Sequence, residues 1–362
     1  MSACEQCLRR TAVLAALAPW IARTDGRIET LRPLLALSDE RLAAALTARA
    51  EVRAVRDGFD PAVARERCEA ARLVALCRHA AGYPEMLRDL GDDVPAVLHV
   101  SGAGRLQALL AEPAVSVVGA RRASQYGLEV ARGLGRGLAT ARVTVVSGMA
   151  LGVDAAAHTG ALEGGDGTVA VLAGGADVPY PASKRTLYTR IAARGAVLSE
   201  FPPGFRPQRW CFPARNRIIA GLGGLTVVVE GLERSGSLIT ARVARDLGRE
   251  VGAVPGQVTA PLAAGSNALI RDGAHLVDGP QAALDVVCGV GARSVSEGAA
   301  LVEPRLRAVL DAVAGGRDTL GALAAAGART DEAMVALAEL ELLGHVRRTA
   351  GGRYVAALHA VS

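Results

Sequence analysis

The stretch Val115-Ser116-Val117-Val118-Gly119-Ala120-Arg121-Arg122 decides the fold. A short, mostly β-branched run breaks into a turn of small residues and then into two cations. Runs of this kind are typical of strands buried on both faces of a parallel sheet. The same texture returns at Val143–Val146, Val169–Leu172, Ala196–Leu198, Leu225–Val229 and Val251–Val254, each bounded by Gly, Ser or Pro. Between them lie segments of helical length: Tyr126–Thr140, Asp154–Leu162, Lys184–Arg194, Asn216–Leu222 and Leu238–Leu247. Strands alternating with helices predict an α/β fold with a doubly wound sheet over residues 79–288, whose ligands bind beyond the carboxyl ends of the strands.

Outward from this centre the pattern changes. Residues 1–78 read as a small helical domain, with Leu8, Val13, Leu14, Leu17 and Ile21 at helical spacing and Ser38 as an N-cap before Leu42 and Leu46. Residues 289–300, rich in Gly, Ser and Ala, read as a linker. Residues 301–362 predict three helices (Glu303–Ala314, Leu320–Ala326, Thr330–Leu343) and a hairpin of His345–Arg348 with Arg353–Val355, the order of a winged helix. Its third helix carries Asp331, Glu332, Glu339 and Glu341, which favours protein over duplex DNA as its partner, although Arg347, Arg348 and Arg353 near the wing keep a DNA role open.

With 362 residues and 51% hydrophobic content, the chain can fill a large core, which excludes global disorder. Its net charge of +5 is mild, yet residues 201–260 hold eight arginines against four acids. Six sparse cysteines predict a reducing, cytoplasmic setting without a disulfide framework, and no apolar run is long enough for a membrane span. Cys4-x-x-Cys7 matches zinc spacing only loosely with Cys68 and Cys77, so the expectation is unliganded thiols and no metal.

The strand ends repeat one chemistry. Gly119-Ala120-Arg121-Arg122, Ser147-Gly148, Ala173-Gly174-Gly175 and Ser235-Gly236-Ser237 all place small residues at one sheet edge. Backbone amides can approach an anion closely there, and Arg121, Arg122 and Arg215 flank them. A turn after any strand favours Gly and Ser for geometry alone; their recurrence beside arginines points to phosphate. The cluster Gln208-Arg209-Trp210-Cys211-Phe212-Pro213-Ala214-Arg215-Asn216-Arg217 adds aromatic faces to cations, which suits unpaired bases on a charged strand. The plainer alternative has Trp210 and Phe212 in the core and the arginines paired with Glu200 and Glu230. Gly133-Leu134-Gly135-Arg136-Gly137 falls inside a predicted helix and does not complete a dinucleotide fingerprint, and no phosphate-loop motif with its lysine occurs. Asp154 and His158 share a helix face, yet no nucleophile completes a catalytic group, so no catalytic residue and no cofactor are expected.

In order along residues 83–288, these segments resemble the DprA/Smf family of DNA-processing proteins. The resemblance rests on Val118-Gly119-Ala120-Arg121, Ser147-Gly148-Met149-Ala150-Leu151-Gly152-Val153-Asp154, Ala173-Gly174-Gly175-Ala176-Asp177 with Tyr180-Pro181, Phe212-Pro213-Ala214-Arg215-Asn216-Arg217, Ser235-Gly236-Ser237-Leu238-Ile239-Thr240 and Val254-Pro255-Gly256. It implies an extended Rossmann-like domain between a helical (SAM-like) start and a winged-helix end. It also implies single-stranded DNA binding without catalysis, homodimerisation, and delivery of the RecA recombinase in transformation or homologous recombination. By motif, Gly119 and Arg121 would meet phosphates, and Ser147 and Gly148 would offer amides. Arg209 and Phe212 would supply charge and stacking, Arg215, Asn216 and Arg217 would line the pocket, and Ser235, Gly236 and Ser237 would close it. The rival reading is a nucleotide-hydrolysing enzyme of the related phosphoribohydrolase group, of which Gly223-Gly224-Leu225-Thr226 and Glu230 give a faint echo.

Overall fold

The computed structural model describes residues 3–165, 167–294, 303–349 and 351–356. The chain forms two compact units, 1–294 and 295–362.

The first unit is built on a nine-stranded sheet of β1 (Val74–Cys77), β2 (Val97–Ser101), β3 (Ala114–Val118), β4 (Thr144–Ser147), β5 (Thr168–Val171), β6 (Ala196–Ser199), β7 (Leu225–Val228), β8 (Glu250–Ala253) and β9 (His275–Leu276). Their order is β1-β2-β6-β5-β4-β3-β7-β8-β9. From β6 to β9 all neighbours are parallel, in registers such as Val115 with Val145 and Val115 with Leu225. β1 and β2 extend this doubly wound sheet at one margin, β1 antiparallel to β2 and β2 antiparallel to β6. The chain winds from β3 outward to β6, then returns to place β7 on the other side of β3. That reversal opens a crevice at the carboxyl ends of β3 and β7, where ligands of such sheets bind.

The strands β3 to β7 are buried along their whole length, as their continuous apolar runs require. Two flanking helices, Gln125–Thr140 and Val153–Gly164, meet through glycines: a Cβ on Gly135 would strike the Ala157 carbonyl, and one on Gly160 the Arg132 carbonyl. The Gly133–Gly137 motif therefore serves helix packing.

Five N-terminal helices (Glu5–Ile21, Ile28–Ala36, Asp39–Ala45, Arg49–Gly58, Pro61–Ala70) bury Leu8, Val13, Leu14, Leu17, Ile21, Leu31 and Leu42. Ser38 caps the third by accepting from the Arg41 amide. They belong to the same compact unit as the sheet. Leu17, Ile21, Leu31 and Leu42 share a cluster with Phe201, Trp210, Cys211 and Ala214. The boundary expected at residue 78 is also displaced, because β1 pairs with β2 and makes residues 74–77 the sheet margin.

In the second unit the helices Pro304–Ala314, Leu320–Ala325 and Thr330–Leu342 precede the antiparallel strands Val346–Arg348 and Tyr354–Ala356, the expected order of elements. Leu306, Leu310, Leu323, Leu337, Leu340 and Val346 fill its core. Residues 295–300 of the expected linker lie outside the described residues.

Candidate nucleic-acid interface

The Gly119–Ser124 loop leaves β3 at the crevice and is held from beneath. Buried Glu230, just past β7, accepts from the Ser124 amide at 2.8 Å and from its hydroxyl at 2.5 Å. The same hydroxyl caps the following helix at the Gly127 amide. A Cβ on Gly119 would strike Val153 and the Glu230 carbonyl, so only glycine fits this approach. The loop presents Arg121 and Arg122, both exposed.

Across from it runs the helix Cys211–Leu222, which begins five residues before the predicted start at Asn216. Its phase sorts the basic cluster, because residues two apart on a helix point about 160° away from each other. Arg215 turns toward the sheet edge. It is 5% exposed, donates through Nη1 to the Gly148 carbonyl and, at 2.5 Å, to the Val171 carbonyl, and so stitches the ends of β4 and β5. Its Nη2 lies 3.8 Å from the Asp154 carboxylate. Burial, aided by nearby Arg121, lowers its pKa to about 10, which leaves it charged at neutral pH.

Arg217 points the other way, into the interior. Its Nη2 meets Glu200 at 2.6 Å and its Nε meets Asp93 at 2.8 Å, with all three side chains at most 6% exposed. Burial opposes its charge, and Glu200 and Asp93 more than offset that, so its pKa is raised. Arg217 is thus an internal ion-pair centre, which corrects its assignment to the strand-binding pocket. Trp210 is likewise core, donating from its indole to the Ala18 carbonyl at 3.2 Å.

Phe212, half-buried, stays at the edge. The Arg121 guanidinium lies 4.9 Å over its ring, and the exposed Tyr180 ring sits 5.4 Å away at a 52° tilt. Asn216 accepts from Arg215 Nε at 3.2 Å and donates to the Gly236 carbonyl at 3.2 Å, tying the helix to the Ser235–Ser237 turn. The structure therefore brings Arg121, Phe212 and Tyr180 together at the edge, over a hydrogen-bonded support of Gly148, Arg215, Asn216 and Gly236, with exposed Arg122 on the Arg121 loop and exposed Arg209 in the segment before the helix. Three expected hydroxyls are engaged within the fold: buried Ser147 donates to the Val117 carbonyl at 2.7 Å, and Ser235 and buried Ser237 share a 2.6 Å bond. Arg215 is likewise a support beneath the surface, with its donors on carbonyls. Tyr180 was missed as a site residue, although Tyr180-Pro181 follows the Gly174-Gly175 turn closely enough to have drawn notice. A cleft of about 380 Å³, lined by residues including Ile28, Arg32, Asp92 and Asp246, contains none of these residues.

Asp154 and His158 are structural. Burial raises the Asp154 pKa against the pull of Arg215, and its carboxylate accepts from the Ala150 amide at 3.2 Å. His158 is fully buried beside Thr168, Nδ1 to Oγ1 2.7 Å, and burial followed by the Arg215 charge pushes its pKa down to about 3. His99, buried in β2, is pushed down to about 4 by burial. The unfolded chain protonates both near pH 6.5 whereas the native chain does not, so their stabilising contribution is complete above that pH and is lost as pH falls toward 4 and then 3. Urea midpoints at pH 7.5 and pH 5 are expected to differ in this sense, with roughly 2 kcal/mol per histidine lost. Equal stability at both values contradicts the assignment.

Residues 74–287 match the family model described as DNA recombination-mediator protein A. The chain belongs to this family. A putative DNA processing protein DprA of Mycobacterium tuberculosis is 45% identical over 237 residues, which cover 65% of this chain and 59% of that protein. Of solved structures, DNA processing protein A from Streptococcus pneumoniae superposes with a TM-score of 0.62 at 33% identity, covering 78% of this chain and 98% of that one. DNA processing protein A from Helicobacter pylori, described for its unique single-stranded DNA binding mode, gives 0.54 at 28% identity over 60% of this chain and 96% of that one. The family match spans β1 to the helix Pro280–Cys288, and so contains the whole surface built above.

Proposed function

We propose that this chain is a single-stranded DNA-binding recombination mediator that grips an unpaired strand along the carboxyl edge of its sheet. The observation that carries the reading is the Arg121 guanidinium over the Phe212 ring at the mouth of the crevice, with Tyr180 beside it. Cations attract phosphate, while exposed aromatic and guanidinium planes accept bases that are free to unstack. A duplex keeps its bases stacked inside and offers such a surface only its backbone. The single-stranded DNA binding described for the Helicobacter pylori relative supports the same reading.

In this reading the chain acts in the cytoplasm, pairs with a second copy of itself and hands the captured strand to the RecA recombinase, without bond-making chemistry of its own. The family's description as a recombination mediator supports the handover step. Fluorescence anisotropy with a labelled oligothymidine and a duplex of equal length tests the proposal. Clear preference for the single strand supports it; equal affinity, or no binding to either, overturns it.

A further inference from the structure

Far apart in sequence, Cys4, Cys7, Cys77 and His79 converge so that three sulfurs and one imidazole nitrogen all lie within 4.8 Å of one another. Cys4 is the N-cap of the first helix and Cys7 lies in its first turn, so their i, i+3 spacing puts both thiols on one face. Cys77 ends β1, and the chain turns at once, the Ala80 amide donating to the Cys77 carbonyl at 2.8 Å, to bring His79 round. His79 Nδ1 stands 3.5 Å from both Cys4 Sγ and Cys7 Sγ.

The two sulfur–nitrogen separations are those of a metal tetrahedron. With Zn–S of about 2.3 Å and Zn–N of about 2.05 Å, a tetrahedral angle puts sulfur and nitrogen about 3.6 Å apart. The four thiol and imidazole donors are the soft-to-borderline set that selects zinc over calcium or magnesium. Ala3, Leu8, Ala96 and Val97 pack around the thiols on the interior side, while Cys4 is half-buried and His79 is exposed. A disulfide between any two of these cysteines would strand the third thiol and leave the imidazole without a role.

We propose that Cys4, Cys7, Cys77 and His79 hold one structural zinc ion, which clamps the start of the first helix to the marginal strand β1. On binding, each thiol gives its proton to solvent and the imidazole coordinates through Nδ1. Cys68, buried on the helix Pro61–Ala70, is outside the set and serves as the internal control.

The test is metal analysis of the full chain, purified with its affinity tag removed. About one zinc per chain, retained through gel filtration, is expected for the native protein and for Cys68→Ser. Cys7→Ser and His79→Ala are expected to lose most of it. Because those variants can also fail to fold, the native chain is loaded with cobalt(II) in parallel. Tetrahedral ligand-field bands together with a thiolate-to-cobalt charge-transfer band are expected. Absence of zinc in native chain that has been offered equimolar zinc, an octahedral cobalt spectrum, or equal loss of zinc in Cys68→Ser overturns the proposal.

Discussion

Arg121→Glu is expected to weaken oligothymidine binding about 10- to 100-fold, the scale set by one lost base-stacking platform together with reversal of a phosphate-facing charge. The guanidinium is exposed and lies over Phe212, so the change removes a cation, installs a repulsive carboxylate and uncovers the ring in one step. The loop itself is held by Ser124 on Glu230, which the substitution does not touch, so the thermal midpoint is expected to stay close to that of the native chain. Anisotropy for binding and circular dichroism for melting separate the two effects. Undiminished affinity removes Arg121 from the interface.

Arg217→Ala has the opposite profile. Asp93 keeps Arg32 at 2.9 Å, whereas Glu200, only 3% exposed, loses its ion-pair partner. A buried carboxylate stranded in this way costs about 3–5 kcal/mol, and urea denaturation is expected to show a loss of that order. Whatever fraction remains folded should bind oligothymidine as the native chain does. A variant of native stability that fails to bind would return Arg217 to the DNA surface and contradict the helix phase described here.

That contrast shows what was legible in the sequence. Strands buried on both faces must be continuous apolar runs, so β3 to β8 and the sheet edge that carries their turns could be read directly. The basic cluster was also visible, but its sorting was not. Starting the helix at Asn216 leaves Arg215 and Arg217 equivalent, whereas starting it at Cys211 drives them to opposite sides. Pro213 in the first turn was the available signal, because proline is tolerated there. Ser147 and Ser237 carried the right composition for anion turns, yet their hydroxyls are used to hold the sheet edge and the turn itself. His79 joins Cys4 across 75 positions because the start of the first helix packs against the sheet margin at Cys77, Ala96 and Val97, which no local spacing reveals.

The central claim is that exposed guanidinium groups on the sheet edge grip the phosphates of an unpaired strand, and the salt dependence of oligothymidine binding tests it most directly. Each neutralised phosphate of a single strand contributes about −0.7 to the slope of log affinity against log salt. With Arg121, Arg122 and Arg209 engaged, the account predicts a slope of about −2, reduced in magnitude by about 0.7 in an Arg121 variant. An affinity that stays flat as salt rises would contradict it.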